Sequence, residues 1–201
     1  MSQHSVFIIE DDLAVRDSLL TVLRGAGIRA RGFSSGIDFL DNLPRDASAC
    51  VITDMRMPGM EGDELVRRLA GLRGPTWPVI VITGHADVPM AVQLMKAGVV
   101  DFIEKPFDPA KLIGVVQTCL TRLSILDEEQ NARSVVQTRL ARLTPRERQV
   151  FRALVEGASN KQIALDLEIS PRTVEVFRAK VMSKMEVDNL PALVRAGLIV
   201  G

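Results

Sequence analysis

Val6-Phe7-Ile8-Ile9, followed by Glu10-Asp11-Asp12 and then an amphipathic run over 13–26, is the stretch whose reading decides the fold. Four consecutive apolar residues are too short for a helix and too uniformly apolar for a strand with one wet face. They predict a strand covered on both sides. The pattern then repeats: apolar runs over 28–33, 50–53, 79–82 and 99–103 are each followed by helical periodicity, over 36–43, 62–72, 88–97 and 109–123. Five such strands separated by helices imply a parallel sheet with right-handed crossovers, an open, doubly wound α/β domain. In such sheets polar chemistry gathers at the carboxyl ends of the strands.

Those ends are polar here. Strand one ends in Glu10-Asp11-Asp12, strand three in Asp54 and strand four in Thr83-Gly84, and Lys105-Pro106 follows strand five. A lone carboxylate at a strand end is usually a helix cap or a solvated charge. Several brought to one rim repel one another unless a hard cation neutralises them, and an oxygen-only donor set suits Mg2+. A lysine beside those carboxylates is the partner expected for an added phosphoryl group.

Composition bounds the rest. The chain has 201 residues, 47% of them apolar, enough for two modest cores. No apolar run approaches the ~20 residues a bilayer span needs, and no cationic leader precedes one, so a cytosolic, soluble protein without a membrane partner is expected. Cys50 and Cys119 lack the spacing of a zinc site and read as small buried apolar residues. The zero net charge hides a split: residues 1–121 hold 12 Lys/Arg against 15 Asp/Glu, whereas 143–201 hold 9 against 7. A slightly basic second half fits a nucleic-acid-binding role.

The motifs Ile9-Glu10-Asp11-Asp12, Thr53-Asp54-Met55-Arg56-Met57-Pro58-Gly59, Ile82-Thr83-Gly84-His85-Ala86-Asp87-Val88-Pro89-Met90 and Asp101-Phe102-Ile103-Glu104-Lys105-Pro106-Phe107 together resemble the receiver domain of FixJ/NarL-type response regulators. The resemblance implies a flavodoxin-like receiver over 1–122 in which Asp54 is the phosphoacceptor, taking its group from a sensor histidine kinase. It implies Mg2+ held by Glu10, Asp11, Asp54 and the backbone carbonyl of Arg56, with Thr83 and Lys105 contacting the phosphoryl oxygens. Phe102 matches the aromatic switch position, and a cis Lys105-Pro106 bond is expected. The family usually carries Asp where Glu10 stands, and the longer side chain alters the reach to the ion. A shifted register using Asp11 and Asp12 is the alternative. His85 reads as a loop or gate residue, His4 as part of a frayed end, Met55, Met57 and Met60 as pliable packing, and Trp77 as an apolar anchor.

Residues 123–142 are polar, mixed in charge and free of Pro and Gly, so a partly helical linker is expected, either transmitting orientation or acting as a spacer. Beyond it, Thr144-Pro145 with Glu147 opens one helix that stops at Gly157, Ser159 caps 160–167, and Ser170-Pro171 opens a long helix to about Lys184. A last helix covers 190–198. Two capped helices joined by a tight turn make a helix-turn-helix. On the long helix Val174, Phe177, Val181 and Met185 form one apolar stripe, with Arg172, Val176, Ala179, Lys180 and Ser183 opposite.

Leu143-Thr144-Pro145-Arg146-Glu147-Arg148-Gln149-Val150, Ser159-Asn160-Lys161-Gln162-Ile163-Ala164 and Ile169-Ser170-Pro171-Arg172-Thr173-Val174-Glu175-Val176 resemble the LuxR-type DNA-binding domain of the same family, closest to its FixJ subgroup. The resemblance implies an all-α four-helix unit over 143–201 whose third helix reads double-stranded DNA. Glu175, Val176, Ala179 and Lys180 are the candidates for base-side contacts, with Lys161, Arg172, Thr173 and Lys184 on phosphates. Glu175 either accepts from cytosine or tunes local charge. The expected function is a phosphorylation-controlled transcription regulator that dimerises through 88–120, binds a pseudo-palindromic site and, by analogy, activates through RNA polymerase. Beyond slow self-phosphorylation and self-dephosphorylation at Asp54 it is not expected to be an enzyme. A phosphohydrolase would usually carry a second acid two residues after the nucleophile, where Arg56 stands. The remaining alternative is a constitutive DNA-binding regulator with a degenerate receiver.

Overall fold

The computed structural model describes residues 4–43, 48–72, 77–84 and 88–200, with the backbone alone at 88–91. The chain divides into two compact units, Met1–Leu126 and Asp127–Gly201. In the first, β1 (Ser5–Ile9), β2 (Ala30–Phe33), β3 (Ala49–Asp54), β4 (Val79–Thr83) and β5 (Val99–Glu104) form one sheet in the order β2-β1-β3-β4-β5. Every pairing is parallel. The helices of this unit are α1 (Leu13–Gly25), α2 (Gly36–Asp41), α3 (Gly62–Ala70), α4 (Val88–Lys96) and the start of α5 (Pro109–Ala141).

Alternation along each strand makes two cores. Phe7, Ile9, Val51 and Val81 point to one face, where α2, α3 and α4 contribute Phe39, Leu65, Leu69 and Leu94. Val6, Ile8, Ile52 and Ile80 point to the other, covered by Leu19 and Leu23 of α1 and Leu112 and Val116 of α5. Each such side chain contributes about 1.5–3 kcal/mol on burial, which is why the strands are apolar without interruption. Met55, Met57, Met60 and Trp77 all lie in the first core, and the Trp77 ring stands 6.1 Å from Phe7. Cys50 and Cys119 lie buried in the second, and the neighbouring Cys119 thiol together with burial raises the Cys50 thiol. His4, expected in a frayed end, instead has Nδ1 3.2 Å from the Ser48 carbonyl. Strand β2 starts later than the apolar run suggests. Gly27 takes φ 73 and the Ile28 N–H donates to the Leu23 carbonyl at 2.9 Å, so these residues complete the end of α1.

In the second unit the last turns of α5 join α6 (Pro145–Val155), α7 (Asn160–Asp166), α8 (Pro171–Met185) and α9 (Leu190–Val200). Thr144 and Glu147 form a reciprocal capping box, while Ser159 and Ser170 cap the next two helices through their hydroxyls. The core is Val150, Leu154, Ile163, Val174, Val181, Met185 and Leu193. Val136 of α5 is buried in it as well and Leu140 packs against it. The sequence reading assigns 123–142 to a linker; lacking Pro and Gly, the segment continues α5 to Ala141, and its last turns are built into the second unit. Among the described residues no helix is long and apolar enough to cross a membrane.

Candidate phosphoacceptor site and nucleic-acid interface

Parallel strands in register bring their carboxyl ends to one rim. Asp54 is the last residue of β3, Thr83 the last of β4, and Glu10 and Lys105 directly follow β1 and β5. Hydrogen bonds between neighbours hold this edge: Glu10 N–H donates to the Phe33 carbonyl at 3.1 Å, Met55 N–H to Ile82 at 3.0 Å, and Lys105 N–H to Thr83 at 2.8 Å. The Lys105-Pro106 bond is cis, as the resemblance implies.

The Lys105 ammonium donates to Glu10 Oε2 at 2.8 Å and to Asp54 Oδ1 at 3.0 Å. The second Asp54 oxygen accepts from the Arg56 N–H at 3.3 Å. Glu10 is buried, 2% exposed. Burial lifts its carboxyl above the ordinary value, Lys105 pulls the other way, and the negative charge of Asp54 adds to the rise. Burial also depresses Lys105, but its bonds to the two carboxylates outweigh that and hold it above its ordinary value. One ammonium therefore bonds two carboxylates of a cluster of three. Glu10, Asp11 and Asp54 each offer an oxygen within 4.8 Å of the others, so a divalent cation fits both the donor chemistry and the excess charge. Asp12 is spent elsewhere, its Oδ1 accepting from the N–H groups of Ala14 and Val15 as the cap of α1. That favours Glu10 with Asp11 over the shifted register. A cleft of about 360 Å³ opens beside the cluster, lined by Asp54, Met55, Arg56, Thr83, Gly84 and Lys105. Thr83 is buried, and Phe102 is half-buried against the first core. His85 lies outside the described residues.

In the second unit α8 buries Val174, Val181 and Met185 and half-buries Phe177. Arg172, Glu175, Val176, Ala179, Lys180 and Ser183 are exposed together, as is Lys161 on α7. The Thr173 hydroxyl shares a 2.8 Å hydrogen bond with Ser170 in the cap. A surface of cations and small apolar groups on one helix can enter a major groove.

Residues 6–117 match the family model for the response regulator receiver domain, and residues 141–196 that for bacterial regulatory proteins of the luxR family. The chain is 50% identical over 197 residues to the transcriptional regulatory protein FixJ of Azorhizobium caulinodans, covering 98% of this chain and 92% of that protein. It is 45% identical to FixJ of Rhizobium meliloti over 201 residues, with 100% and 98% covered. It belongs to the FixJ-type two-component response regulators. Among solved structures this regulator is similar to the response regulator StyR, at TM-score 0.84 and 34% identity, covering 98% of this chain and 99% of that one. Full-length FixJ from B. japonicum is similar at TM-score 0.61 and 41% identity, with 99% and 98% covered.

One proposed contact of the regulator needs correcting. The family resemblance puts Lys184 among the candidates for DNA phosphates, yet its ammonium donates to Glu147 Oε2 at 2.6 Å and to the Arg142 carbonyl at 3.2 Å. Glu147 is 3% exposed, so Lys184 neutralises a buried carboxylate and ties α8 to α6, its ammonium already engaged within the unit. The Lys184 and Thr144 bonds hold the Glu147 carboxyl below its ordinary value. Sequence reading also misses Arg146, whose guanidinium caps α7 at the Leu167 carbonyl, and Arg139, which reaches the far end of α8. No local signal marks either residue, because their partners are set by helix packing.

Proposed function

We propose that the receiver controls DNA binding through transfer of a phosphoryl group from a sensor histidine kinase to Asp54. The observation that carries this is the Lys105 ammonium bridging Asp54 and buried Glu10 beside an open cleft. An Asp54 oxygen attacks phosphorus as the P–N bond to the kinase imidazole breaks, and the imidazole leaves with the bonding pair. Lys105 then pairs with one phosphoryl oxygen and the Thr83 hydroxyl with another, and Phe102 follows Thr83. Mg2+ held by Glu10, Asp11, Asp54 and the Arg56 carbonyl would supply charge neutralisation for the phosphoryl oxygens.

Exposed Val92 (47%) and Met95 (50%) on α4, beside edge strand β5, support a dimerising face within 88–120. Two copies of α8 then read a pseudo-palindromic duplex, with Lys161, Arg172 and Thr173 on phosphates and Glu175, Val176, Ala179 and Lys180 on base edges. Transcription activation through RNA polymerase in the cytoplasm completes the reading, and slow self-phosphorylation and self-hydrolysis at Asp54 are its only enzymatic activity.

The test measures oligomer mass and DNA binding with and without acetyl phosphate plus Mg2+, for wild type and Asp54→Asn. Donor-dependent dimerisation and tighter binding by wild type alone are expected. Equal donor-free binding by both proteins would instead mark a constitutive regulator.

A further inference from the structure

Glu186 closes α8 with φ 54 and ψ 50, a left-handed conformation in which a non-glycine residue is strained. Its backbone N–H still serves the helix end, donating to Met182 and Ser183. The side chain is gripped from α5 and the turn after it, where Arg139 Nη2 donates to Glu186 Oε2 at 2.6 Å and Arg142 Nη1 to Oε1 at 3.0 Å. The other arm of Arg139, Nη1, donates to the Met185 carbonyl at 3.1 Å. One guanidinium thus satisfies both a terminal carbonyl of α8 and the carboxylate of its capping residue, and sits at the negative end of the helix dipole. The grip is anchored, since Val136, one turn before Arg139, is 6% exposed in the same core as Val181 and Met185.

We infer that Arg139, with Glu186 as its partner, is a positioning residue for DNA recognition: the last turns of α5 hold the C-terminal end of the groove-facing helix and fix its angle. The inference rests on the reading of α8 as that helix. It explains why a glutamate occupies a position where glycine costs less. The carboxylate is there to be held, and its two arginines offset the strain. It also makes the helical state of residues 136–141 a determinant of DNA affinity, although none of them touches DNA.

The sign of one substitution separates this from simple electrostatics. Glu186→Gln removes a negative charge near a polyanion, which by charge alone strengthens binding. Positioning requires the opposite. The measurement is fluorescence anisotropy of the full chain, with acetyl phosphate and Mg2+, on a duplex enriched by the wild-type protein from a random pool and on an unselected duplex. Glu186→Gln and Arg139→Met are each expected to weaken binding to the enriched duplex about tenfold, the scale of one lost charge-assisted bond. Binding to the unselected duplex and the salt slope should not change, and the double variant should be no worse than the poorer single one.

Glu186→Gly relieves the backbone strain, so its Tm should not fall while its specific affinity does, an outcome a purely structural role would not produce. The inference is overturned if Glu186→Gln binds the enriched duplex as tightly as wild type or more tightly. It is also overturned if Arg139→Met weakens both duplexes alike and lowers the salt slope by about one, the signature of a direct phosphate contact. Should Arg139→Met unfold the unit, exposed and near-isosteric Glu186→Gln carries the test alone. If Lys180→Ala and Val176→Ala also leave enriched-duplex binding unchanged, the reading of α8 itself fails, a result distinct from failure of the clamp.

Discussion

Gly62 opens α3 just after the loop that follows Asp54, and a Cβ built on it would stand 2.5 Å from the Asp54 carbonyl oxygen and 3.1 Å from Met55 Cα. Both obstacles are backbone, so no side chain can swing away. Contact at 2.5 Å is about 0.9 Å short of the ordinary van der Waals range, and either the strand end or the helix must move by that much. Gly62→Ala should therefore destabilise the receiver by about 1–3 kcal/mol, the usual cost of overpacking, or roughly 4–12 °C in Tm. The displaced atom belongs to Asp54, the proposed phosphoacceptor, and a misplacement approaching 1 Å slows a positioned reaction by up to about 10²-fold. Propensity alone argues the reverse, because alanine in a helix is worth about 0.5–1 kcal/mol over glycine. Gly114 of α5 is the control: a Cβ there meets nothing within 4 Å, so Gly114→Ala should stabilise by about that amount. The assays are thermal melts of the full chain and the rate of phosphoryl uptake from phosphoramidate with Mg2+. A Gly62→Ala protein that melts no lower than wild type and is phosphorylated at the same rate would refute the steric argument.

Lys105→Met removes the ammonium that bonds both Glu10 and Asp54. Melting without Mg2+ should fall by an amount equivalent to about 1–3 kcal/mol while Mg2+ binds more tightly, since the competing cation is gone; weaker Mg2+ binding by calorimetry would contradict this. Lys184→Met strands Glu147, whose side chain is 4% exposed, but Lys184 is itself 36% exposed. The expected loss is about 2 kcal/mol, between the values for a surface and a buried pair. Because Glu147 titrates below its ordinary 4.5 in the folded chain, its stabilisation is complete above that value and disappears as pH falls through the folded one. In Lys184→Met the acid loss should be shallower, though not flat, as the Thr144 N–H still donates to Glu147 at 2.8 Å. Denaturant midpoints at pH 3, 4, 5 and 7 measure it. Thr144→Ala breaks the capping box of α6 and should cost about 1 kcal/mol by chemical denaturation; an unchanged midpoint would mean that the box does not stabilise α6.

Most of what local periodicity and a residue's own backbone needs govern is legible in the sequence, the start of β2 being an exception, since Ile28 completes the end of α1. The uninterrupted apolar strands announced a sheet covered on both faces, their polar ends named Glu10, Asp54, Thr83 and Lys105 as neighbours, and Thr144, Ser159 and Ser170 marked three helix starts to the residue. Strand register converts sequence position directly into position on the rim, so the cluster of Glu10, Asp54, Thr83 and Lys105 could be placed from pattern and family likeness together. Contacts across packed helices had no such ruler. Lys184 meets Glu147 across 37 residues and Arg139 meets Glu186 across 47. Which face of α8 a long cation reaches depends on crossing angles that hydrophobic patterning leaves open. The periodicity of α8 puts Lys184 seven residues after Phe177, beside the apolar stripe; only the packed unit shows that a buried carboxylate meets it there. The same holds for α5, where the absence of Pro and Gly permits a helix through 123–141, but burial of Val136 against Val181 and Met185 makes its last turns part of the DNA-binding unit.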